Sequence, residues 1–250
     1  MKSVLLPALC IFFINSKAQK NWVGAGAGGT GTDFNTAANW SPAGVPSSAD
    51  NVTIAITADA TITLSANAAV NNLTFTVNGN NDNARLYVGA NTLTVNGTAT
   101  IDILGGNNGT DIEIGVNGGT SAGIIDFLGN VSIGATNQGA GAGFAGNTNS
   151  RLIFRGSLTL GIQAYVNITN RPGTIEFNSS ASQTITWNNT TYYCEFNNIV
   201  VGNSNNPTVN QVTGTVTPDN ILGNLTVNGS SVLNLGTSQW NGGTAGGGTG

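Results

Sequence analysis

One short apolar strand, closed by asparagine and glycine, recurs along the chain and limits what the chain can fold into. It reads NNLTFTVNG at 71–79, NTLTVNG at 91–97, FNNIVVGN at 196–203 and GNLTVNG at 223–229. Between these copies, other short runs alternate apolar and polar residues and end at Gly or Asn. A period of two predicts β-strands, and no segment sustains the 3.6-residue apolar period of a helix.

The similarity of these strands to one another favours a parallel β-helix, or β-solenoid, over a β-sandwich. Sandwich strands also recur at short intervals, but they lie in different surroundings, whereas solenoid strands stack on copies of themselves. We mark each similar strand by its first apolar residue. The spacings between these markers indicate a unit of about 20 residues with loop insertions. These markers are Leu73, Leu93, Val131, Leu158, Ile199 and Leu225.

The predicted fold class is therefore all-β, a parallel β-helix with a Trp-containing N-terminal cap. In such a coil, alternate side chains of one strand face inward, so we expect Leu225 and Val227 in the core and Thr226 outside. Asn and Gly are expected at the corners, because they tolerate positive φ and because Asn side chains bond to free backbone groups.

Composition excludes several classes of protein. Only 7% of the 250 residues are charged, but 39% are hydrophobic, which favours an ordered chain over a disordered one. The net charge of −4 and the lack of a basic cluster argue against a nucleic-acid partner. No apolar run reaches the roughly 20 residues of a transmembrane helix, so no membrane span is predicted.

The first residues resemble a secretory signal peptide. Lys2 precedes the apolar run VLLPALCIFFI, and SKA follows at 16–18, so we predict cleavage after Ala18 and a secreted or cell-surface location. The further divisions are a cap segment at 19–58, solenoid repeats at 59–238 and a Gly-rich tail or linker at 239–250. Cleavage leaves Cys194 as the lone thiol, and with no histidine in the chain we expect it to be a buried structural residue.

Two blocks resemble large surface and secreted proteins of the Bacteroidetes type. The first carries a Trp…Asn-Trp…Val-Pro…Asp…Val-x-Ile pattern; the second, at 173–236, resembles their β-helical repeats. The matching positions of the first block are Trp22, Asn39, Trp40, Val45, Pro46, Asp50, Val52 and Ile54. The resemblance implies an adhesin-like, type IX secretion substrate, of which this chain would be an N-terminal fragment.

Carboxylates are the main candidates for chemistry. Asp111 and Glu113 share one face of a strand, and a neighbouring turn would bring Asp126 or Asp102 alongside. Such a cluster would suit acid/base catalysis, or a Ca²⁺ ion held by oxygen ligands at Asp111, Glu113 and Asp126. Solvated outward side chains are the favoured interpretation, so no cofactor is predicted.

Contact residues form a second set of candidates. Arg151 and Arg155 lie on one strand and would meet an acidic glycan, although solvated arginines are the default. The aromatic residues Trp187, Tyr192 and Tyr193 would stack on sugars, although packing in the core or in a turn is the alternative. The segment 134–149 is predicted to be a long contact loop.

Threonine pairs raise a separate question. They recur at 61/63, 74/76, 92/94 and 184/186. A flat, regular array of them would suggest ice binding, but their irregular spacing argues against one aligned face.

The sequence thus predicts a non-enzymatic extracellular structural or adhesive segment of a cell-surface or matrix protein. Its partners would be surface glycans, host or matrix proteins, or further copies of itself. The first alternative is a self-assembling filament subunit, and the second is a carbohydrate-active β-helix enzyme.

Overall fold

The structure, a computed structural model, describes residues 17–105, 109–117, 119–135, 140–166, 171–188, 195–213, 219–235 and 240–242. Within these ranges the regular structure is β-strand, apart from one short 3₁₀ turn at Ala37–Asn39. The predicted all-β class is confirmed, and the parallel sheets form the predicted β-solenoid.

The strands fall into four hydrogen-bonded sheets, and their order across each sheet differs from their order along the chain. From one edge to the other, sheet 1 contains β2 (Trp40–Ser41), β1 (Gln19–Trp22), β3 (Asn51–Ile56), β6 (Leu73–Asn78), β9 (Ala99–Gly105), β12 (Val131–Ala135), β15 (Leu158–Leu160), β18 (Gln183–Trp187), β21 (Thr208–Thr213) and β24 (Val232–Asn234). Sheet 2 contains β16 (Ala164–Val166), β13 (Gly141–Ala145), β10 (Asp111–Gly115), β7 (Asn83–Tyr87) and β4 (Ala60–Thr63). Sheet 3 contains β23 (Leu225–Val227), β20 (Asn198–Val201), β17 (Thr174–Phe177), β14 (Arg151–Phe154), β11 (Ile124–Phe127), β8 (Thr92–Val95) and β5 (Ala68–Val70). A smaller sheet contains β19 (Glu195–Phe196), β22 (Asp219–Ile221) and β25 (Trp240–Gly242).

From β3 onward, neighbours within each sheet are parallel strands that lie three places apart in the chain. The chain therefore visits sheets 1, 2 and 3 in turn and then begins again one layer higher. The smaller sheet occupies the second place in the later turns, because β19 follows β18 and precedes β20. This is the geometry of a three-sided coil.

The length of one turn corrects the predicted repeat. Val52 lies opposite Leu73, whereas Ala99 lies opposite Val131, so a turn takes between 21 and 32 residues. The prediction of about 20 residues was wrong because the recurring strand occupies two different sheets. Of its four copies, the one at 71–79 forms β6 in sheet 1, and the other three form strands of sheet 3.

Inward side chains form stacked apolar columns through the coil. In sheet 3, Phe127, Phe154 and Phe177 lie opposite one another in register. Their ring centroids are 5.4 Å and 5.8 Å apart and the rings are nearly parallel. Burying each ring contributes about 2–3 kcal/mol, so these columns are the main stabilising element of the fold.

Asparagines stabilise the corners in a more specific way than predicted. The Oδ1 atom of Asn72 accepts the backbone N–H of Thr98 at 2.8 Å, and that of Asn130 accepts the N–H of Ser157 at 2.9 Å. Each bond therefore joins one turn of the coil to the next rather than closing its own bend. The predicted role of corner Asn is confirmed and extended to holding successive turns together.

The N-terminal end carries the predicted tryptophan cap. Trp40 packs edge-on against Trp22 and Phe34, and its indole N–H donates to the carbonyl of Phe34 at 2.7 Å. At the edge of sheet 1, β2 runs antiparallel to β1, which ends the parallel stacking. Residues 19–58 thus contain these cap aromatics and also β3, the first strand of the coil.

Of two expectations about side-chain placement, the inward stacking of Leu225 and Val227 is confirmed although both remain partly exposed, and the long contact loop at 134–149 is wrong. Leu225 and Val227 stack in register on the fully buried Ile199 and Val201, as inward residues should. They are nevertheless 44% and 43% exposed, because β23 is the last strand of sheet 3. The predicted loop at 134–149 contains β13, whose five residues are buried; residues 136–139 lie outside the described part.

Candidate functional site

The outer face of sheet 2 holds a group of polar and charged side chains on neighbouring strands. Ile112 and Ile114 of β10 are fully buried, so alternation turns Asp111 and Glu113 outward, as predicted. In β7, burial of Leu86 likewise turns Arg85 and Tyr87 outward. The strand register places Arg85 directly opposite Glu113.

The two oxygens of Glu113 each accept a tyrosine hydroxyl. Tyr87 donates to Oε2 at 2.7 Å, and Tyr165 of β16 donates to Oε1 at 3.0 Å. The Nε atom of Arg85 lies 3.6 Å from Oε2. We call Arg85, Tyr87, Asp111, Glu113 and Tyr165 the tyrosine–carboxylate cluster.

Two glycines make this arrangement possible. Tyr165 belongs to β16, and β13 lies between it and the strand of Glu113. A Cβ atom built on Gly143 would lie 2.4 Å from a ring carbon of Tyr165, and one built on Gly141 would lie 2.7 Å from another. The ring therefore lies across the bare backbone of β13, a close approach that glycine in a strand permits.

Burial changes the acid–base behaviour of the cluster. Burial, together with the nearby Glu113 charge, raises the pKa of the Tyr165 and Tyr87 hydroxyls. Both remain neutral hydrogen-bond donors at physiological pH. Burial and then the charge of Glu113 also raise the pKa of Asp111 above its usual value.

Glu113 is buried and hydrogen-bonded rather than solvated. The favoured interpretation of a solvated side chain is wrong, because Glu113 is only 6% exposed. Both of its oxygens are occupied by hydroxyl donors, whereas a general base must reach the proton that it removes. The sequence missed the tyrosines; the Gly-x-Gly pattern inside the strand GAGFA was the available signal for a bulky neighbour.

Asp126 does not join this cluster. It lies on β11 in sheet 3, where Arg155 binds both of its oxygens at 2.8 and 3.0 Å. The predicted grouping of Asp126 with Asp111 and Glu113 is therefore not formed. Among the described residues, no three acidic or cysteine side chains lie close enough together to hold a metal ion. Asp102 lies on β9 in sheet 1, and burial raises the pKa of its carboxyl.

The two predicted arginines are both occupied. Arg155 holds Asp126, and Arg151 donates to Glu176 on the next turn of sheet 3. Glu176 is only 2% exposed and also accepts an amide hydrogen from Asn178 at 2.9 Å. These arginines therefore neutralise neighbouring acids instead of standing free for an acidic glycan.

Several predicted residues fall outside the described part of the chain. The backbone of Trp187 ends β18, but its side chain is not described. Tyr192, Tyr193 and Cys194 lie outside the described residues, as do 1–16 of the predicted signal peptide. Their predicted roles stay predictions.

A shallow depression between turns offers little chemistry. It is lined by Thr148, Gly173, Asn197, Asn198, Leu222 and Gly223. None of these side chains is ionisable. The depression therefore supplies neither an acid nor a base to a bound molecule.

Fold and site together define a three-sided parallel β-solenoid whose surface carboxylates are held by partners on neighbouring turns. The chain matches no protein-family model, no curated protein and no solved structure. In the part of the chain that the structure describes, no helix has the length and apolar character needed to cross a membrane.

Proposed function

We propose that the chain is a non-enzymatic, extracellular β-solenoid segment that has a structural and adhesive role in a cell-surface or matrix protein. The observation that carries this proposal is the pairing of surface acids with partners along the coil. Glu113 is held by two tyrosines, Asp126 by Arg155 and Glu176 by Arg151. Contacts of this kind, two ion pairs and one carboxylate held by neutral hydroxyls, stabilise stacked strands and occupy the acids within the coil.

The corner asparagines support the mechanical part of the role. Bonds such as Asn72 to Thr98 and Asn130 to Ser157 join each turn to the next. A coil joined in this way at its corners and filled by apolar columns resists bending. It therefore suits a segment that holds binding surfaces, for glycans or for host or matrix proteins, away from a cell.

The extracellular location rests on the sequence. The apolar run at 4–14 and the small residues at 16–18 support export, and the resemblance to Bacteroidetes-type surface proteins supports the same placement. Gln19, the residue that the predicted cleavage would expose, is also where β1 begins. Cleavage after Ala18 would remove two hydrogen bonds that residues of the predicted signal peptide make to the coil, one from Lys17 to Asn71 and one from the Asn51 N–H to the Ala18 carbonyl, both at 2.8 Å.

Mass spectrometry of the native product, on surface-shaved cells and on the culture medium, tests the location. We expect peptides that begin at Gln19 at the surface or in the medium. A product that retains residues 1–18 and stays inside the cell would overturn the proposal.

A panel of polysaccharides tests the non-enzymatic part. We expect no release of reducing or unsaturated ends by the purified protein. Release that the Glu113→Gln variant abolishes, while Thr226→Ser retains it, would instead establish a carbohydrate-active enzyme.

Self-assembly is the second candidate function, and one observation favours it. Leu225 and Val227 continue buried apolar columns but remain nearly half exposed. A second copy that covers this end would bury them. Sedimentation velocity over a range of concentrations tests this: concentration-dependent oligomers that Leu225→Lys abolishes would support it, and monomers at every concentration would exclude it.

A further inference from the structure

The outer face of sheet 1 carries an aligned column of hydroxyl groups. Thr53, on β3, begins this column, and one residue from each following turn lies directly opposite the last. The complete column is Thr53, Thr74, Thr100, Ser132, Thr159 and Thr186. We call it the hydroxyl column; it covers six successive strands of sheet 1 without a gap.

A second polar column runs beside it, two residues earlier on each strand. Its members are Asn51, Asn72, Thr98, Asn130, Ser157 and Thr184. We call this the corner column. The sequence therefore repeats a pattern of polar residue, apolar residue and hydroxyl residue on six successive turns: NVT, NLT, TAT, NVS, SLT and TIT.

The threonine pairs considered in the sequence did not reveal this array. Those pairs are indeed scattered over three sheets, since Thr61 lies in sheet 2, Thr94 in sheet 3 and Thr186 in sheet 1. The expectation that no face is aligned is nevertheless wrong. Turns of unequal length bring Thr or Ser to the same position of sheet 1 each time.

The corner column fixes the geometry of the array. Asn72 donates to Asn51 at 3.0 Å and accepts from the N–H of Thr98 at 2.8 Å. Ser157 in turn accepts the N–H of Thr184 at 3.1 Å. Side-chain ladders of this kind hold a many-stranded sheet flat, so the hydroxyls beside them keep a constant spacing.

Five of the six hydroxyls are available to an outside partner. The Thr53 hydroxyl accepts a hydrogen bond from Gln19 at 2.9 Å. Within the described residues, the hydroxyls of Thr74, Thr100, Ser132, Thr159 and Thr186 make no side-chain hydrogen bond. Thr100 and Ser132, in the middle of the column, are exposed.

The array has a defined repeat in two directions. Neighbouring strands lie about 4.8 Å apart, and residues two apart along a strand lie about 6.6 Å apart. The twelve side chains of the two columns include no charge and no aromatic ring, although Asp102 follows Thr100 two residues later on the same face of β9. The two columns therefore suit an uncharged partner that offers hydrogen-bonding groups and repeats at a similar spacing.

We propose that this face binds the surface of ice. An ice crystal presents an uncharged lattice of water molecules that both donate and accept hydrogen bonds, at oxygen spacings of the same order as this array. Threonine suits such a lattice because its hydroxyl bonds to water and its methyl group fills the space between water molecules. A crystalline polysaccharide is the less suitable partner, because sugar rings are recognised by aromatic stacking and this face offers none. The inference does not depend on the adhesive role proposed above.

Ice recrystallisation in the presence of the purified protein tests the proposal. We expect inhibition by the wild type. The double variant Thr100→Lys, Ser132→Lys should need about thirtyfold more protein for the same effect, because two contacts are lost and hydrated charges enter the lattice. The matched control Thr94→Lys, Thr226→Lys carries the same charges on the outer face of sheet 3 and should inhibit like the wild type.

Three outcomes would overturn the proposal. The first is a wild type that has no effect on ice growth at any concentration. The second is an equal loss of inhibition in both double variants. The third is a wild type that binds microcrystalline cellulose or chitin and not ice. Equal thermal unfolding midpoints for the three proteins confirm that each variant is folded. Selective loss in the sheet 1 variant, with the control intact, is the result that supports the proposal.

Discussion

Tyr165 donates a hydrogen bond of 3.0 Å to Glu113, although the two residues lie on strands separated by a third. The residue between them in the register is Gly143, and the tyrosine ring lies across it. A buried carboxylate thus obtains a donor from two turns away because the intervening strand has no side chain at that position. The hydrogen bond from Tyr165 helps to offset the cost of burying the Glu113 carboxylate.

Replacing Gly143 by alanine should destabilise the protein by about 2–3 kcal/mol. The new Cβ would lie 2.4 Å from the ring of Tyr165, so the ring must move and Glu113 loses one of its donors. Urea unfolding followed by circular dichroism measures this loss.

A double-mutant cycle with Tyr165→Ala supplies the control. If Gly143→Ala acts through the ring of Tyr165, it should lower the free energy of unfolding far less in the Tyr165→Ala background than in the wild type. Fully additive costs would contradict the explanation.

The alternation of strands was predictable from the sequence, but the contacts between turns were not. The period of two placed Asp111 and Glu113 on one face of β10, and the structure confirms it. It could not place Tyr165 beside Glu113, because that pairing depends on the lengths of two intervening turns. For the same reason Asp126 was expected beside Asp111 but lies on a different sheet.

The hydroxyl column illustrates the same limit. Thr100 and Ser132 are neighbours in space but 32 residues apart, whereas Thr53 and Thr74 are neighbours at a distance of 21. Loops of unequal length absorb this difference without altering the register of the strands. A search for a fixed sequence spacing therefore misses the column.

The two ion pairs of sheet 3 should contribute different amounts to stability, although Arg151 begins β14 and Arg155 directly follows its last residue. Arg151→Met should cost about 3 kcal/mol, because it leaves the almost fully buried Glu176 without a cation. Arg155→Met should cost at most about 1 kcal/mol, because its partner Asp126 is partly exposed to water. Chemical denaturation of the two variants side by side gives the comparison, and equal costs would show that burial does not decide the value of these pairs.

Stability should fall in alkaline solution because of the cluster tyrosines. Burial and the Glu113 charge raise the folded-state pKa of Tyr165, so its stabilising contribution is complete below about pH 10, the usual tyrosine value. Above that pH the unfolded chain loses a proton that the folded chain keeps. The free energy of unfolding therefore falls by about 1.4 kcal/mol per pH unit for each such tyrosine.

The Tyr165→Phe variant tests this dependence. At neutral pH, the free energy of unfolding of this variant should be lower than that of the wild type. Above pH 10 it should fall less steeply with pH, because the variant has one fewer hydroxyl group that loses its proton on unfolding. Unfolding curves recorded between pH 8 and pH 12 measure both slopes. Identical slopes would mean that Tyr165 titrates alike in the folded and unfolded chains.

The position of a residue within an apolar column should decide what its truncation costs. Phe154 stacks between Phe127 and Phe177 and is fully buried, so Phe154→Ala should cost about 3–5 kcal/mol. Val227 ends the same column but is 43% exposed, so Val227→Ala should cost less than about 1 kcal/mol. Thermal unfolding of dilute protein compares the two variants under conditions that disfavour association. A large cost at Val227 that grows with protein concentration would instead show that a second copy covers this end of the coil, because only association makes stability depend on concentration.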